Sequence, residues 1–243
     1  MSNRIGEIFD EIRETIDRDD EAREKVLKIS RTVVRRCAET IRAIHRRELV
    51  TAESLLADLK PDVVQINDLS KFNNQFESNV ATAFQEYVEA FLLFHFVKHC
   101  GDHPAEEQFQ DLLVSWSDLT KEVPIPYLAY LHGICDLVGE LRRFTLDSVR
   151  ADQVELGEQA LGLMSELFMQ LTTLDYPSGL LPGIRRKTDI ARTLIERTRG
   201  DVTLAYNRRE LVEKLEKVIQ LSGQEIGGLK EGFGSSDDEE DLG

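Results

Sequence analysis

The sequence predicts an all-α protein that folds as a single-domain bundle of about seven helices. Apolar residues recur at intervals of three and four along most of the chain, which is the period of an amphipathic helix. The six prolines all fall where helix ends or loops are expected. No segment reads as a convincing strand, a regular repeat or an internal linker. At 243 residues the chain is long enough for one large hydrophobic core.

The first predicted helices precede residue 61. A helix that begins near residue 3 carries apolar residues at helical spacing, and the charged segment 17–21 is expected to bend it or to start a new helix. That helix is predicted to run to about Glu48. A further helix over 51–59 is expected to stop at Pro61, because proline lacks a backbone N–H and clashes with the preceding turn.

The remaining helices are predicted from residue 62 onwards. A segment that begins near Asp62 leads into a central helix over 72–99. Around residues 91–97 this helix is apolar on every side, which is typical of a buried helix. Later helices are predicted over 105–120, from Pro124 and Pro126 to about Val149, over 154–171 and over 184–221.

Charge and composition indicate which class of protein the chain can belong to. The net charge is −15, and much of it lies in residues 223–243, which are glycine-rich and acidic and are predicted to form a disordered tail after a helical domain over 1–222. The three cysteines are too scattered for a disulfide framework or a zinc cluster and are expected to act as small buried hydrophobes. Without a leader or a long apolar run, the expectation is a soluble, cytoplasmic protein with no membrane partner.

One face of the helix that ends near Glu48 is uniformly basic. When the helix is drawn at 100° per residue, five cations share one narrow stripe opposite the apolar face: Lys28, Arg31, Arg35, Arg42 and Arg46. Like charges at i,i+4 repel, so a stripe of one sign is less usual than mixed charge. We predict a track for a nucleic-acid backbone, and an ordinary solvated face is the alternative.

Two predicted buried helices each carry a close pair of acids. Glu86 and Glu89 lie three apart at the start of the central apolar segment, and Asp136 and Glu140 lie four apart among apolar residues. Ionised carboxylates in such surroundings need a cation, hydrogen bonds or a shifted pKa. Oxygen ligands without His or Cys suit Mg²⁺ or Mn²⁺, so the four acids are predicted to form one metal-binding catalytic site.

Other interpretations of these acids stay open. Each could pair with a nearby base, for example Glu140 with Arg143. A ferritin-like di-iron site is poorly supported, because neither Glu89 nor Glu140 is followed three residues later by histidine. The sequence contains neither a phosphate-binding glycine loop nor a nucleophile elbow.

Two segments resemble the translin and Trax family. Residues 85–90 read Gln-Glu-Tyr-Val-Glu-Ala and closely resemble the Trax catalytic segment. Residues 133–143 read Gly-Ile-Cys-Asp-Leu-Val-Gly-Glu-Leu-Arg-Arg and, with Asp-Ser-Val at 147–149, resemble the second family segment, where Asp147 replaces the usual asparagine. The segment 5–9, Ile-Gly-Glu-Ile-Phe, is more like translin, and weak resemblance extends over about 3–220.

The resemblance implies a seven-helix protein that assembles into a closed octameric shell in which RNA is processed. Trax is the Mg²⁺-dependent endoribonuclease subunit of that assembly, and translin is its RNA-binding, non-catalytic partner. The family's catalytic acids correspond to Glu86, Glu89, Asp136 and Glu140. This chain resembles an archaeal-type member that acts as a homo-oligomer. Residues 75–79 lack the basic and histidine residues that translin uses for RNA, so the basic stripe or Arg142 and Arg143 must supply those contacts.

Three functional hypotheses follow. The first is a metal-dependent endoribonuclease that acts on single-stranded RNA, with single-stranded DNA as a second candidate ligand. The second is a non-catalytic, translin-like oligomer that binds single-stranded nucleic acid. The third is an all-α nucleoside triphosphate pyrophosphohydrolase, a class that also uses Glu-x-x-Glu but normally follows it with Glu-x-x-Asp on the next helix, where this chain has Asp-x-x-x-Glu.

Overall fold

The computed structural model describes residues 4–71, 77–100 and 114–232. Over these ranges the chain forms helices and turns, and they contain no strand. The helices are α1 (Arg4–His45), α2 (Leu49–Ser70), α3 (Glu77–His99), α4 (Trp116–Glu122), α5 (Tyr127–Arg150), α6 (Val154–Thr172) and α7 (Ile184–Gly232). The predicted all-α class with about seven helices is confirmed.

The predicted alternative in which a new helix starts at residues 17–21 is wrong. Helix α1 is continuous over 42 residues. Its charged part forms ion pairs at helical spacing, with Arg13 Nη1 2.6 Å from Asp10 Oδ1 and Arg23 Nη1 3.6 Å from Asp20 Oδ1. Such i,i+3 pairs favour the helix, so a run of charge need not end it.

The predicted stop at Pro61 is also wrong, because α2 continues through this proline to Ser70. Leu59 and Val63, on either side of Pro61, are fully buried in the core. Packing of the helix on both sides of the proline outweighs the hydrogen bond that the proline cannot make.

The next two predicted helices are described only in part. Of the helix predicted over 72–99, residues 72–76 lie outside the described ranges and the rest form α3. Of the helix predicted over 105–120, residues 105–113 lie outside them. Val114 and Ser115 are not helical, and α4 begins at Trp116 because the Ser115 hydroxyl caps it by accepting a hydrogen bond from the Asp118 backbone N–H at 3.2 Å.

The carboxyl-terminal helices follow the prediction until the last one. Helices α5 and α6 begin and end within a few residues of the predicted bounds. Helix α7 runs to Gly232, so the first part of the predicted disordered tail is helical, and residues 233–243 lie outside the described ranges. None of the described helices is both long and apolar enough to span a membrane.

Helices α3 and α5 occupy the middle of the bundle. Helix α3 packs on α1, α2 and α5, and α5 also packs on α6 and α7. Tyr87, Phe84 and Phe96 of α3 are fully buried, which confirms the prediction of a buried central helix. Cys37 and Cys135 are buried, and Cys100 is partly exposed. The two helices that carry the predicted acids are therefore neighbours at the centre of the fold.

Candidate functional site

A glycine brings the two acidic helices close together. A Cβ atom placed on Gly133 of α5 would lie 2.6 Å from Cγ1 of Val88 and 3.1 Å from the carbonyl oxygen of Gln85, both on α3. Only glycine fits such an approach of one helix to the other. This approach places the α3 segment that carries Glu86 and Glu89 next to the helix that carries the other two acids.

Glu89 is the most deeply buried of the four acids, with 8% of its surface exposed. Burial, followed by the negative charges of Glu86, Asp136 and Glu140, raises its pKa from the usual 4.5 to about 8. Burial also raises the pKa of Glu86, with contributions from Asp136 and Glu140. This mutual effect places all four carboxylates in one electrostatic cluster, which we call the carboxylate centre.

Asp136 is held by two side chains from other helices. The Lys187 ammonium, in the first turn of α7, donates to both carboxylate oxygens of Asp136 at 2.7 Å. The Gln85 amide of α3 donates to Oδ2 at 2.5 Å. These contacts fix the orientation of Asp136 and neutralise its charge.

Glu140 also has partners within the chain. His45 Nε2, at the end of α1, lies 2.5 Å from Glu140 Oε2, and the His45 side chain is almost fully buried. Arg143 Nη1 lies 3.8 Å from the same oxygen. By contrast, Glu86 and Glu89 make no hydrogen bond or ion pair with any residue of the described ranges. The pairing with bases that the sequence left open therefore holds for Asp136 and Glu140 only.

The donor atoms of the carboxylate centre are of the chemical type that binds a hard divalent cation. Carboxylate oxygens are the ligands that Mg²⁺ and Mn²⁺ prefer, and Glu86 and Glu89 have no partner among the described residues that would compete for them. In the described ranges, however, no three or more His, Cys, Asp or Glu side chains are arranged to hold a metal ion together. A cation bound to both oxygens of Asp136 would have to replace Lys187, whereas the contacts of Glu140 within the described ranges are to Oε2 and leave Oε1 to bind a cation.

The predicted basic stripe lies on the surface of the bundle. Lys28, Arg31, Arg35 and Arg42 project from α1 and are exposed, and none of them forms an ion pair within the described part of the chain. Arg31 and Arg35 line a groove of about 340 Å³ whose other wall includes Thr82 and Ala83 of α3. The groove follows the same two helices, α1 and α3, that supply His45, Glu86 and Glu89 to the carboxylate centre.

The other three predicted cations have partners. Arg46 lies just beyond α1 and makes two 2.8 Å contacts to the Glu48 carboxylate. Arg142 ties α5 to α7, because its guanidinium donates to Thr198 Oγ1 at 2.7 Å and to Asp201 Oδ2 at 3.0 Å. Its assignment to RNA stays a prediction that requires both contacts to break. Arg143 is about half exposed beside Glu140.

Sequence reasoning missed three residues of the site: Gln85, His45 and Lys187. Gln85 directly precedes Glu86, so its place beside the acidic pair could have suggested it. His45 and Lys187 lie on the first and last helices, far from their partners in sequence. No local pattern indicates that pairing, because it depends on how α1 and α7 pack against α5.

The sequence matches the Translin family over residues 21–199. The chain belongs to this family. An uncharacterized protein of Methanocaldococcus jannaschii is 32% identical over 200 residues, which cover 82% of this chain and 83% of that protein. Translin-associated protein X of Mus musculus is 28% identical over 176 residues, covering 61% of each chain. The predicted resemblance is confirmed, although the chain spans only about three fifths of the mouse protein.

Solved structures share the fold. The crystal structure of apo-NeC3PO superposes with a TM-score of 0.70 at 20% identity, covering 84% of this chain and 98% of that one. The structure of AfC3PO in complex with duplex RNA gives a TM-score of 0.65 at 25% identity, covering 83% of this chain and 97% of that one. The translin-like architecture is thus confirmed over most of the chain.

Proposed function

We propose that this protein is a Mg²⁺- or Mn²⁺-dependent endoribonuclease that cleaves single-stranded RNA, with single-stranded DNA as a second ligand. The observation that carries the proposal is the carboxylate centre: Glu86, Glu89, Asp136 and Glu140 share one electrostatic cluster across the α3–α5 contact. Such a concentration of negative charge at the centre of a bundle is costly for stability unless a cation compensates it. The match to the Translin family supports the proposal.

Each part of the site has a role in this proposal. The four acids would hold the cation, which would supply neutralisation of phosphate charge and activation of water. Gln85 orients Asp136, and His45 orients Glu140. Glu89 itself is shielded from bulk water, which strengthens its electrostatic interactions with the other acids and with a cation.

The exposed cations of α1 are proposed to hold the RNA backbone. Lys28, Arg31, Arg35 and Arg42 are available for phosphate contacts, since none is ion-paired within the described ranges. RNA binding by the family fold is supported by the AfC3PO complex, which contains duplex RNA. Binding through this stripe should weaken steeply with salt, because phosphate contacts release counterions.

We further propose that the protein works as a cytoplasmic homo-oligomer, with an octamer as the expected state. Two helical arms support an assembly. Apolar side chains of α1 before residue 20 and of α7 over residues 204–219 are exposed rather than packed on the bundle. Contiguous exposed apolar surface of this kind is typical of protein interfaces.

Cleavage of a labelled RNA tests the function directly. Single-stranded RNA and a matched duplex are incubated with wild type, Glu89→Gln and the control Glu216→Gln, which changes an exposed carboxylate on α7. We expect cutting of the single strand in Mg²⁺ and none in EDTA, with the rate reduced roughly hundredfold or more in Glu89→Gln only. Size-exclusion chromatography checks that the variant still assembles. Cutting in EDTA, or at the wild-type rate in Glu89→Gln, would contradict the proposal.

A second function is favoured by one specific observation. Asp136 and Glu140 already have Lys187 and His45 as partners, and such pairing satisfies two of the acids without a metal. A non-catalytic oligomer that binds single-stranded nucleic acid would need no more than this. Binding of the same RNA in EDTA, with no cutting in Mg²⁺, would support this second function.

A further inference from the structure

We propose that Lys187 is the internal counter-ion of the carboxylate centre, and that a divalent cation must displace its ammonium group from Asp136. The inference rests on the proposed function, because it assumes that the centre takes up a cation. According to this inference, metal affinity depends on Lys187, a residue of α7 that lies in neither of the two acidic segments.

The contact between Lys187 and Asp136 is close and partly shielded from solvent. The ammonium lies 2.7 Å from both carboxylate oxygens and 3.5 Å from the backbone carbonyl oxygen of His132. The two side chains retain only 25% and 28% of their exposure. Such a pair is screened less by salt than a surface pair.

The start of α7 fixes where Lys187 can reach. Gly183 has a φ of +80°, a conformation that favours glycine, and the turn it forms leads directly into the helix. Ile184 is buried against Cys135 and Leu171, and the Lys187 backbone N–H donates to the Gly183 carbonyl oxygen at 3.1 Å. The backbone of Lys187 is thereby anchored while its side chain extends to α5.

Lys187 supplies positive charge to the carboxylate centre from α7. Its ammonium is paired with Asp136, one of the four acids of the centre. Without a metal, the Lys187 ammonium supplies part of the positive charge that a divalent cation would supply.

A divalent cation and Lys187 cannot both hold Asp136 in this way. The ammonium uses both oxygens of the carboxylate, and a metal ion on the same oxygens would lie within a few ångströms of a like charge. Metal binding must therefore move the ammonium away. The lysine lowers the affinity for the cation and stabilises the centre when no cation is bound.

Calorimetric titration of metal-free protein with MnCl₂ tests this competition. Lys187→Met is compared with wild type and with Lys214→Met, which removes an exposed ion pair to Glu210 on the same helix. We expect the Mn²⁺ dissociation constant to fall about tenfold or more in Lys187→Met, because the competing charge is gone. Lys187→Arg keeps that charge and should bind Mn²⁺ as wild type does.

Thermal unfolding gives a second readout that does not depend on activity. In EDTA, Lys187→Met should unfold at a lower temperature than wild type, and added Mn²⁺ should remove the difference. The double variant Lys187→Met/Asp136→Asn should regain stability in EDTA, since neither partner is left unpaired. If Lys187→Met yields no folded protein, recovery of folding in the double variant supports the pairing and continued misfolding overturns it.

The outcomes separate this inference from the proposed function. Equal Mn²⁺ affinity in wild type and Lys187→Met overturns the competition and leaves the nuclease proposal intact. Absence of Mn²⁺ binding in wild type and in every variant contradicts the metal-dependent function itself.

Discussion

Burial and neighbouring negative charges both oppose ionisation of Glu89. Its carboxyl group is buried and close to three other acids, and it has no hydrogen-bond partner in the described part of the chain. A pKa of about 8 means that the folded protein favours the protonated acid at neutral pH. A carboxyl group in the unfolded chain keeps a pKa near 4.5, so folding is linked to proton uptake.

This linkage predicts how Glu89→Gln changes stability with pH. Because the folded pKa is raised, wild type loses stability as pH rises from about 4.5 to about 8, where only the unfolded chain is ionised. Glutamine cannot ionise, so the variant escapes this loss. In EDTA we expect it to unfold at the same temperature as wild type near pH 4.5, and to be more stable by roughly 2–4 kcal/mol at pH 8.5.

The matched control for this prediction is Glu216→Gln, an exposed carboxylate on α7, which should follow wild type at both pH values. Thermal unfolding monitored by circular dichroism gives the comparison. A stability difference between Glu89→Gln and wild type that stays constant over the pH range would contradict the assignment of the raised pKa.

The sequence predicts part of this residue-scale arrangement. Glu86, Glu89, Asp136 and Glu140 stand out because acids rarely occur at such positions in apolar segments. Their partners are less accessible to sequence reasoning, because Lys187 and His45 look like ordinary charged positions near helix ends. Only the packing of α1 and α7 on α5 turns them into counter-ions.

At the scale of the element, the distance between α3 and α5 depends on Gly133. Replacement by alanine puts a methyl group 2.6 Å from Val88 Cγ1 and 2.7 Å from Val88 Cβ. A β-branched side chain in a helix has few rotamers, so Val88 cannot turn away and the helices must separate. We expect Gly133→Ala to destabilise the protein by roughly 1–3 kcal/mol and to lower the proposed RNA cleavage by misplacing the acids.

Gly139 on the same helix provides the control for this substitution. A Cβ atom there meets nothing within 4 Å, so Gly139→Ala should stabilise the protein by roughly 0.5–1 kcal/mol, since alanine favours the helix over glycine. Urea unfolding of both variants provides the comparison. A Gly133→Ala variant as stable as Gly139→Ala would show that the close approach is not required.

Local sequence rules for where a helix ends fail at two positions. Pro61 predicts the end of a helix and the charged segment 17–21 predicts a bend or a new helix, and both lie inside continuous helices. In α2 the buried neighbours of Pro61 hold the helix, and in α1 spaced ion pairs support it. Ser115, by contrast, acts as a local cap and sets the start of α4.

At the scale of the whole molecule, periodicity does not reveal whether an apolar face is covered by the same chain. The first part of α1 has the helical spacing expected for a core helix, yet Ile5, Phe9, Ile12 and Ile16 are all exposed. Their spacing of four, three and four matches a coiled-coil seam. On α7, Leu211, Leu215 and Val218 form a second exposed seam with the same kind of spacing.

These two arms predict that assembly depends on their apolar faces. Ile12→Asp on α1 and Leu215→Asp on α7 each place a charge in an exposed seam, which leaves the core untouched but opposes burial against another chain. We expect either variant to reduce the oligomer to smaller species in multi-angle light scattering, while circular dichroism remains that of the wild type. Val50→Asp is the control, because Val50 of α2 is 84% exposed and lies on neither arm. An unchanged molar mass for both arm variants would mean that the assembly uses other surfaces, whereas loss of mass in Val50→Asp as well would indicate a general effect of added charge.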